Sequence, residues 1–187
     1  MIRTDIEMSL KKKLPHRRLV HTKGVAATAV VLAKRYGVDC EQAELAGWLH
    51  DCARVYPTGT LIEECNRCNI AVTKIDEQSP VLLHAPLGAY LAREVYGIDD
   101  EAVLDAVLYH TVGRENMTRL EHIIYLADMI EPNREYDGVE VLRRLAERDL
   151  TQAMIAAFDQ SIQHVIRTGG LIHPNTILAR NELLLNG

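Results

Sequence analysis

Histidines and aspartates recur on the apolar stripes of this chain's helical segments, and that placement limits what it can fold into. Ala43, Ala46, Gly47 and His50 run i, i+3, i+4, i+7, the spacing of one helix face. Val103, Ala106, Val107 and His110 repeat it. His84 leads Leu87, Gly88, Leu91 and Ala92, and His21 leads Val25, Thr28, Ala29 and Leu32. Leu120, Ile124 and Asp128 stand at i, i+4, i+8, and Asp51 directly follows His50. One histidine on an apolar face is ordinarily a core residue bonded to a backbone group. Four imidazoles and two carboxylates turned inward together are harder to bury, because an unpartnered carboxylate is costly unless it is paired or holds a metal. Little basic charge lies on those faces, so the pattern calls for a divalent cation. The nitrogen and oxygen donors suit Fe, Mn, Zn, Ni or Co and do not choose among them.

The remaining sequence reads as helix nearly throughout, which predicts a compact all-α fold. Helices are expected over 22–36, 40–53, 58–68, 84–96, 99–110, 117–131 and 175–185, with 139–167 forming one long helix or two shorter ones. Gly37, Gly97, Pro132 and the Gly169-Gly170 pair supply the stops. No linker or repeat divides the chain, so 1–187 is expected to form a single domain with its core at about 14–180. Neighbours on a helix point about 100° apart, so His50 and Asp51 are expected either to converge on one ion near a helix end or to have one of them bridge to a second ion. His122, after Glu121, is expected on a solvent-facing side, and His164 lacks carboxylate neighbours.

Charge is distributed unevenly. Residues 1–23 carry seven Lys/Arg against Asp5 and Glu7, while the whole chain has 21 Lys/Arg and 26 Asp/Glu. Lys11, Lys12 and Lys13 read as a solvated helix face. Arg17 and Arg18 are better placed to meet an anionic ligand, since Arg18 lies about one turn from His21 and its planar fork matches phosphate oxygens. Aromatic residues are 5 % of the chain, too few for a base-stacking nucleic-acid surface. No long apolar run predicts a membrane span, and the charged start, with no apolar stretch after it, does not read as an export signal. A cytoplasmic, reducing setting then makes Cys40, Cys52, Cys65 and Cys68 free thiols. The Cys65-x-x-Cys68 pair lacks the second pair a zinc site needs, and Cys52 reads as a small buried residue.

The ordered series His21, His50-Asp51, His84, His110, Asp128 resembles the HD-domain superfamily of metal-dependent phosphohydrolases. The likeness extends over roughly 14–180 to one branch, the bacterial symmetrical diadenosine tetraphosphatases. It is carried by Arg18-x-x-His21 with Gly24-Val25, Gly47-x-Leu49-His50-Asp51, His84-Ala85-Pro86-x-Gly88 and Tyr109-His110-Thr111. Tyr125-Leu126-Ala127-Asp128, Glu131-Pro132-x-Arg134 and Ile172-His173-Pro174-x-Thr176 complete it. The departures noticed fall in segment 65–79, outside these motifs.

That resemblance implies a multi-helix HD-domain fold and symmetrical cleavage of diadenosine tetraphosphate into two ADP. It implies iron, as one or two ions, with Mn, Ni, Co or Zn still allowed. His21, His50 and Asp128 would be ligands. Asp51 would bind or bridge metal and face the phosphate. His84 and His110 would serve a second ion or contact the cleaved phosphate, sharing the catalytic work with Asp51. Arg18 and Arg134 would neutralise phosphate. Gly170, Leu171, Ile172, His173, Pro174 and Asn175 would close over the nucleotide. The partner is a small dinucleoside polyphosphate, not nucleic acid or membrane, and a homodimer is allowed. Two other readings keep the site: hydrolysis of a nucleoside mono- or triphosphate, and a nucleotide- and metal-binding regulator without significant turnover.

Overall fold

The computed structural model describes residues 3–186. Among them there are eleven α-helices and no strand: α1 (Arg3–Lys13), α2 (His16–Tyr36), α3 (Cys40–Leu49), α4 (Leu61–Arg67), α5 (Lys74–Gln78), α6 (His84–Glu94), α7 (Glu101–Tyr109), α8 (Arg119–Ile130), α9 (Val139–Ala146), α10 (Leu150–Arg167) and α11 (Pro174–Asn186). Short 3-10 turns cover Cys52–Val55, Thr58–Thr60 and Pro80–Leu83. The all-α expectation is met.

Several helices start where a side chain can satisfy the amides that no helical carbonyl reaches. Asp39 accepts from Glu41 N and Gln42 N, and Asp100 from Ala102 N and Val103 N. Thr118 and Glu121 form a reciprocal capping box at α8. Asp149 accepts from Gln152 N, which explains why 139–167 divides into α9 and α10. The helix expected over 40–53 leaves α geometry after Leu49: Asp51 has φ −104° and ψ 15°, and a 3-10 turn follows. This break lets His50 and Asp51 point to one place.

α2 lies against α3 and α8, and α7 fills the space between α3, α6 and α8. Val25 and Ala29 of α2, Ala46 and Leu49 of α3, Val103 and Val107 of α7, and Ile123 and Ile124 of α8 form the buried centre. α9 and α10 cover α8 from another side, and α11 packs on α10. A smaller apolar cluster joins Ala53, Leu61, Cys65, Leu83 and Leu87, with Cys68 against it. The Cys-x-x-Cys pair therefore belongs to packing, and all four cysteines are free thiols. α1 was not resolved from the sequence as a separate helix. It buries Ile6, Leu10 and Leu14 and leaves Lys11, Lys12 and Lys13 exposed.

α2 and α3 approach so closely that a Cβ on Gly47 would lie 2.6 Å from Ala26 Cα and 3.0 Å from Ala26 N. Those atoms are backbone and cannot swing aside. Alanine gains about 1 kcal/mol over glycine inside a helix, but overpacking costs about 1–3 kcal/mol and more where backbone must move. Gly47→Ala should therefore lower the urea midpoint with an unchanged slope, because the clash outweighs the helical gain.

Candidate metal centre

Five elements deliver the chemistry-bearing side chains to one point. His21 lies in the second turn of α2, above the buried Val25 and Ala29. His50 caps the C-terminus of α3, with Asp51 in the turn after it. His84 begins α6, His110 caps α7 and Asp128 lies in the last turn of α8. Their polar atoms meet: His21 Nε2 is 3.3 Å from His50 Nε2 and 3.0 Å from Asp128 Oδ1. His84 Nε2 is 3.0 Å from His110 Nε2 and 3.3 Å from Asp51 Oδ1. Asp51 Oδ2 lies 3.8 Å from His50 Nε2 and 3.9 Å from His21 Nε2. Two ligand groups result, His21–His50–Asp51 and Asp51–His84–His110, each with donor atoms within 4.8 Å of one another. Asp51 belongs to both.

The opposite edge of each imidazole is engaged. Nδ1 donates to Gly47 O in His50 (2.7 Å), to Val107 O in His110 (2.7 Å) and to Val81 O in His84. In His21, Nδ1 donates to Glu131 Oε1 at 3.2 Å. A carbonyl only accepts, so Nδ1 carries a proton, and Nε2 is the lone-pair edge that the rings of His50, His84 and His110 turn inward. In His84 and His110 two such lone pairs face each other. Thr111 Oγ1, 3.3 and 3.1 Å away, can donate its one hydrogen to only one of them. A cation accepts both. This is the donor chemistry of a divalent-metal site, with ring orientation held by outer hydrogen bonds.

The protonation states agree with that role. Burial pushes His50 down to about 4 and His84 to about 3, against the pull of Asp51, so both rings stay neutral and able to bind metal. Burial alone would raise the Asp51 carboxyl, but the surrounding His50 and His84 outweigh it and hold the group well below the ordinary range. Asp128 is likewise held low: burial opposes its charge, and the His21 hydrogen bond and the fields of His50 and Arg134 overcome it. His21 differs from the other rings. Burial lowers it, yet its hydrogen bond and attraction to Asp128 raise it on balance.

The expectation of little neutralising basic charge is corrected here. Arg18 Nη1 lies 2.8 Å from Asp51 Oδ2, and Arg54 Nε lies 3.2 Å from Asp51 Oδ1. Arg134 donates to both the carbonyl and the carboxylate of Asp128. Arg54 and Arg134 project from turns beyond helix ends, and Arg18 precedes His21's apolar stripe, so counting charges on those faces misses all three. The solvent-facing expectation for the Glu121 and His122 side is also corrected. Glu121 is fully buried and takes two bonds of 2.8 Å from Arg114 besides its cap, and His122 is half-buried. His164 is exposed. Cys52 is buried, its thiol pushed up to about 12 by burial, which suits a packing residue.

Glu131 and Gly24 support the centre from outside the ligand set. Glu131 is 1 % exposed and accepts from His21 Nδ1 and from both the backbone and side-chain amides of Asn133. A Cβ on Gly24 would lie 2.3 Å from Glu131 Oε2, so only glycine at position 24 leaves this carboxylate in place. Glu131 directly follows α8, three residues after Asp128, and both acids reach His21 from that end of the helix.

Arg18 and Arg134 line a cleft of about 990 Å³ that reaches His21 and Glu131. A second cleft of about 720 Å³ is also lined by Arg134, together with Thr111, Tyr136 and Arg167. The 170–175 turn lies outside the hydrogen-bond network of the histidines. Beside it, Thr176 Oγ1 donates to Val112 O at 2.9 Å, which ties the start of α11 to the end of α7. No helix among the described residues is long and apolar enough to cross a membrane.

Comparison with known proteins places this geometry in a family. The HD domain family matches residues 18–133. A Bacillus subtilis protein named symmetrical bis(5'-nucleosyl)-tetraphosphatase is 40 % identical over 98 % of both chains. A Halalkalibacterium halodurans protein of the same name is 44 % identical over 94 % of both. The crystal structure of a Clostridium acetobutylicum protein, described as an HD superfamily hydrolase involved in NAD metabolism, superposes with a TM-score of 0.96. It is 44 % identical and covers 100 % of this chain and 99 % of its own. With its histidines and aspartates gathered at one centre and relatives of this likeness along its whole length, the chain belongs to the HD-domain family.

Proposed function

We propose that this protein is a metal-dependent hydrolase that splits diadenosine tetraphosphate symmetrically into two ADP, with iron as its metal. One observation carries the reading. Each imidazole is fixed through Nδ1 so that Nε2 faces a buried carboxylate common to two ligand groups. The names of the full-length relatives supply the substrate.

His21, His50, Asp51 and Asp128 would hold one ion, and Asp51, His84 and His110 a second. A divalent cation bound there supplies Lewis acidity to a phosphoryl oxygen and acidifies water at its open coordination position. The chain's own residues do the rest. His84 and His110, fixed through Nδ1, turn Nε2 toward the position of the second ion beside Asp51, and Thr111 Oγ1 lies within hydrogen-bond reach of both nitrogens. Arg18 spends one Nη on Asp51, which leaves its other donors for phosphate. Arg134 keeps Nη1 available in the same way. These arginines offset the charge that otherwise repels an attacking oxygen. Gly170, Leu171, Ile172, His173, Pro174 and Asn175 cover one nucleotide from the end of α10.

ADP should be the sole nucleotide product from diadenosine tetraphosphate. AMP and ATP in equal amounts would mean asymmetric attack and overturn the reading. Protein purified without oxygen should contain iron by elemental analysis. Stripping the metal with a chelator should lower the melting temperature, since a ligand present at about 100 times its Kd contributes about 2.7 kcal/mol.

Asp51→Asn should reduce turnover to background and lower metal content, because it removes the charge common to both ligand groups. Glu131→Gln leaves every ligand in place and removes the charge behind His21, replacing one of the two oxygens that accept from His21 and Asn133. It should reduce metal affinity about 10- to 100-fold, measured by competition with a chromogenic chelator.

A further inference from the structure

Symmetrical scission places a geometric demand on the protein. The reacting phosphorus atoms lie mid-chain, and equivalent nucleoside diphosphate halves must leave them in opposite directions. Two clefts adjoin at Arg134, whose guanidinium donates to Asp128 of the metal centre. Arg134 and Tyr136 line both clefts; His21 opens into the larger and Thr111 into the smaller. Their volumes, about 990 and 720 Å³, both lie in the range of about 300–1,000 Å³ typical of small-molecule sites.

Resting on the function proposed above, we infer that the larger cleft, at the start of α2, is the binding site for the second nucleoside diphosphate half. The smaller cleft, lined by Thr111, Gln160, His164 and Arg167, takes the other half. Three features of the larger cleft fit this ligand. Arg17 is exposed and has no ion pair among the described residues, unlike Arg18 and Arg134, so its charge is available to the outer phosphates. Val20 and Tyr136 expose apolar surface on the cleft wall, at 37 % and 38 %, and Tyr136 is held by its hydroxyl donating to Met129 O at 2.9 Å. A fixed, exposed aromatic ring beside an aliphatic side chain suits the face of a base. Glu135 also lines this cleft, and as a hydrogen-bond acceptor it can take a ribose hydroxyl.

Arginine donors on both sides of the centre then explain why cleavage falls in the middle. A ligand with one half in each cleft passes Arg134, beside Asp128 of the metal centre, whereas a shift by one phosphate would empty an arginine contact in one cleft and crowd the other.

The test uses the metal-loaded protein with ADP and with a diadenosine tetraphosphate analogue whose central bridging oxygen is replaced by methylene. Calorimetry on the wild type should give two ADP per chain and one analogue. Val20→Trp, which fills the larger cleft from an exposed position, should bind one ADP. Arg17→Glu should weaken analogue binding about tenfold or more by losing a charged phosphate contact. Metal content and melting temperature confirm that both variants are folded and loaded. Two ADP in Val20→Trp, or unchanged analogue affinity in Arg17→Glu, would overturn the assignment of this cleft. The hydrolase reading fails separately, if the wild type releases no ADP from the dinucleotide. ADP release with undiminished ligand binding in the variants would remove only the two-cleft assignment.

Discussion

Asp51 is a charge buried at the junction of five chain segments, and the structure around it follows from the need to keep it ionised. Its side chain is only 3 % exposed, in surroundings where an unpartnered carboxylate would be strongly disfavoured. The chain answers with two arginines and a set of imidazoles. Breaking a buried ionic cluster by removing one member costs far more than an average hydrogen bond, because the rest is left uncompensated. The cluster therefore acts as a unit, and the helices that carry it must end where they do. α3 must stop at Leu49 so that the backbone turns at Asp51. Had the helix continued to Ala53, His50 and Asp51 would diverge by about 100°.

Helix ends also solve a second problem. The last carbonyls of a helix have no partner within it, and the i−3 carbonyls of α3 and α7 are taken by His50 and His110 through Nδ1. One bond thus completes a helix terminus and sets the tautomer of a metal-ligating ring. His21 is held differently, because it lies inside α2, where every nearby carbonyl is engaged. α8 grips it from outside: Asp128 meets Nε2 and Glu131 meets Nδ1. Gly24, one turn beyond His21, makes room for that grip, so the close packing of α2 on α8 is a condition of the site as well as of the core.

Most of this architecture can be read from residue order. The apolar spacing ending in His50 and His110 located the helices and the faces that converge, and caps at Asp39, Asp100 and Thr118 appear as ordinary start signals. What could not be read is what depends on tertiary approach. Arg54, Arg134 and Glu131 leave helix ends in directions that spacing does not encode. Glu121 looks like a surface acid until Arg114, seven residues earlier, folds back onto it. α1 is legible only in hindsight, since Ile6, Leu10 and Leu14 form a thin stripe in a segment dominated by charge. The glycine requirements at positions 24 and 47 depend on neighbours 107 and 21 residues away, and no local pattern reports such a distance.

The charge distribution raises a last question: how a chain of net charge −5 can receive a polyphosphate. Net charge acts over long distances, but at physiological salt the field of exposed charge fades over about 8 Å. Within that range of the metal centre the balance is different. Arg18, Arg54 and Arg134 already match the acids Asp51, Asp128 and Glu131, and a divalent cation in the ligand set would make the centre positive. Arg17 and the exposed Lys11, Lys12 and Lys13 lie on the same side of the sequence, within the basic first 23 residues. Acidic surface elsewhere then serves solubility and discourages nonspecific contact with nucleic acid. An anion is attracted only where arginine forks and metal ligands are brought together, so selectivity for a compact polyphosphate over an extended polyanion follows from how narrowly the positive charge is confined.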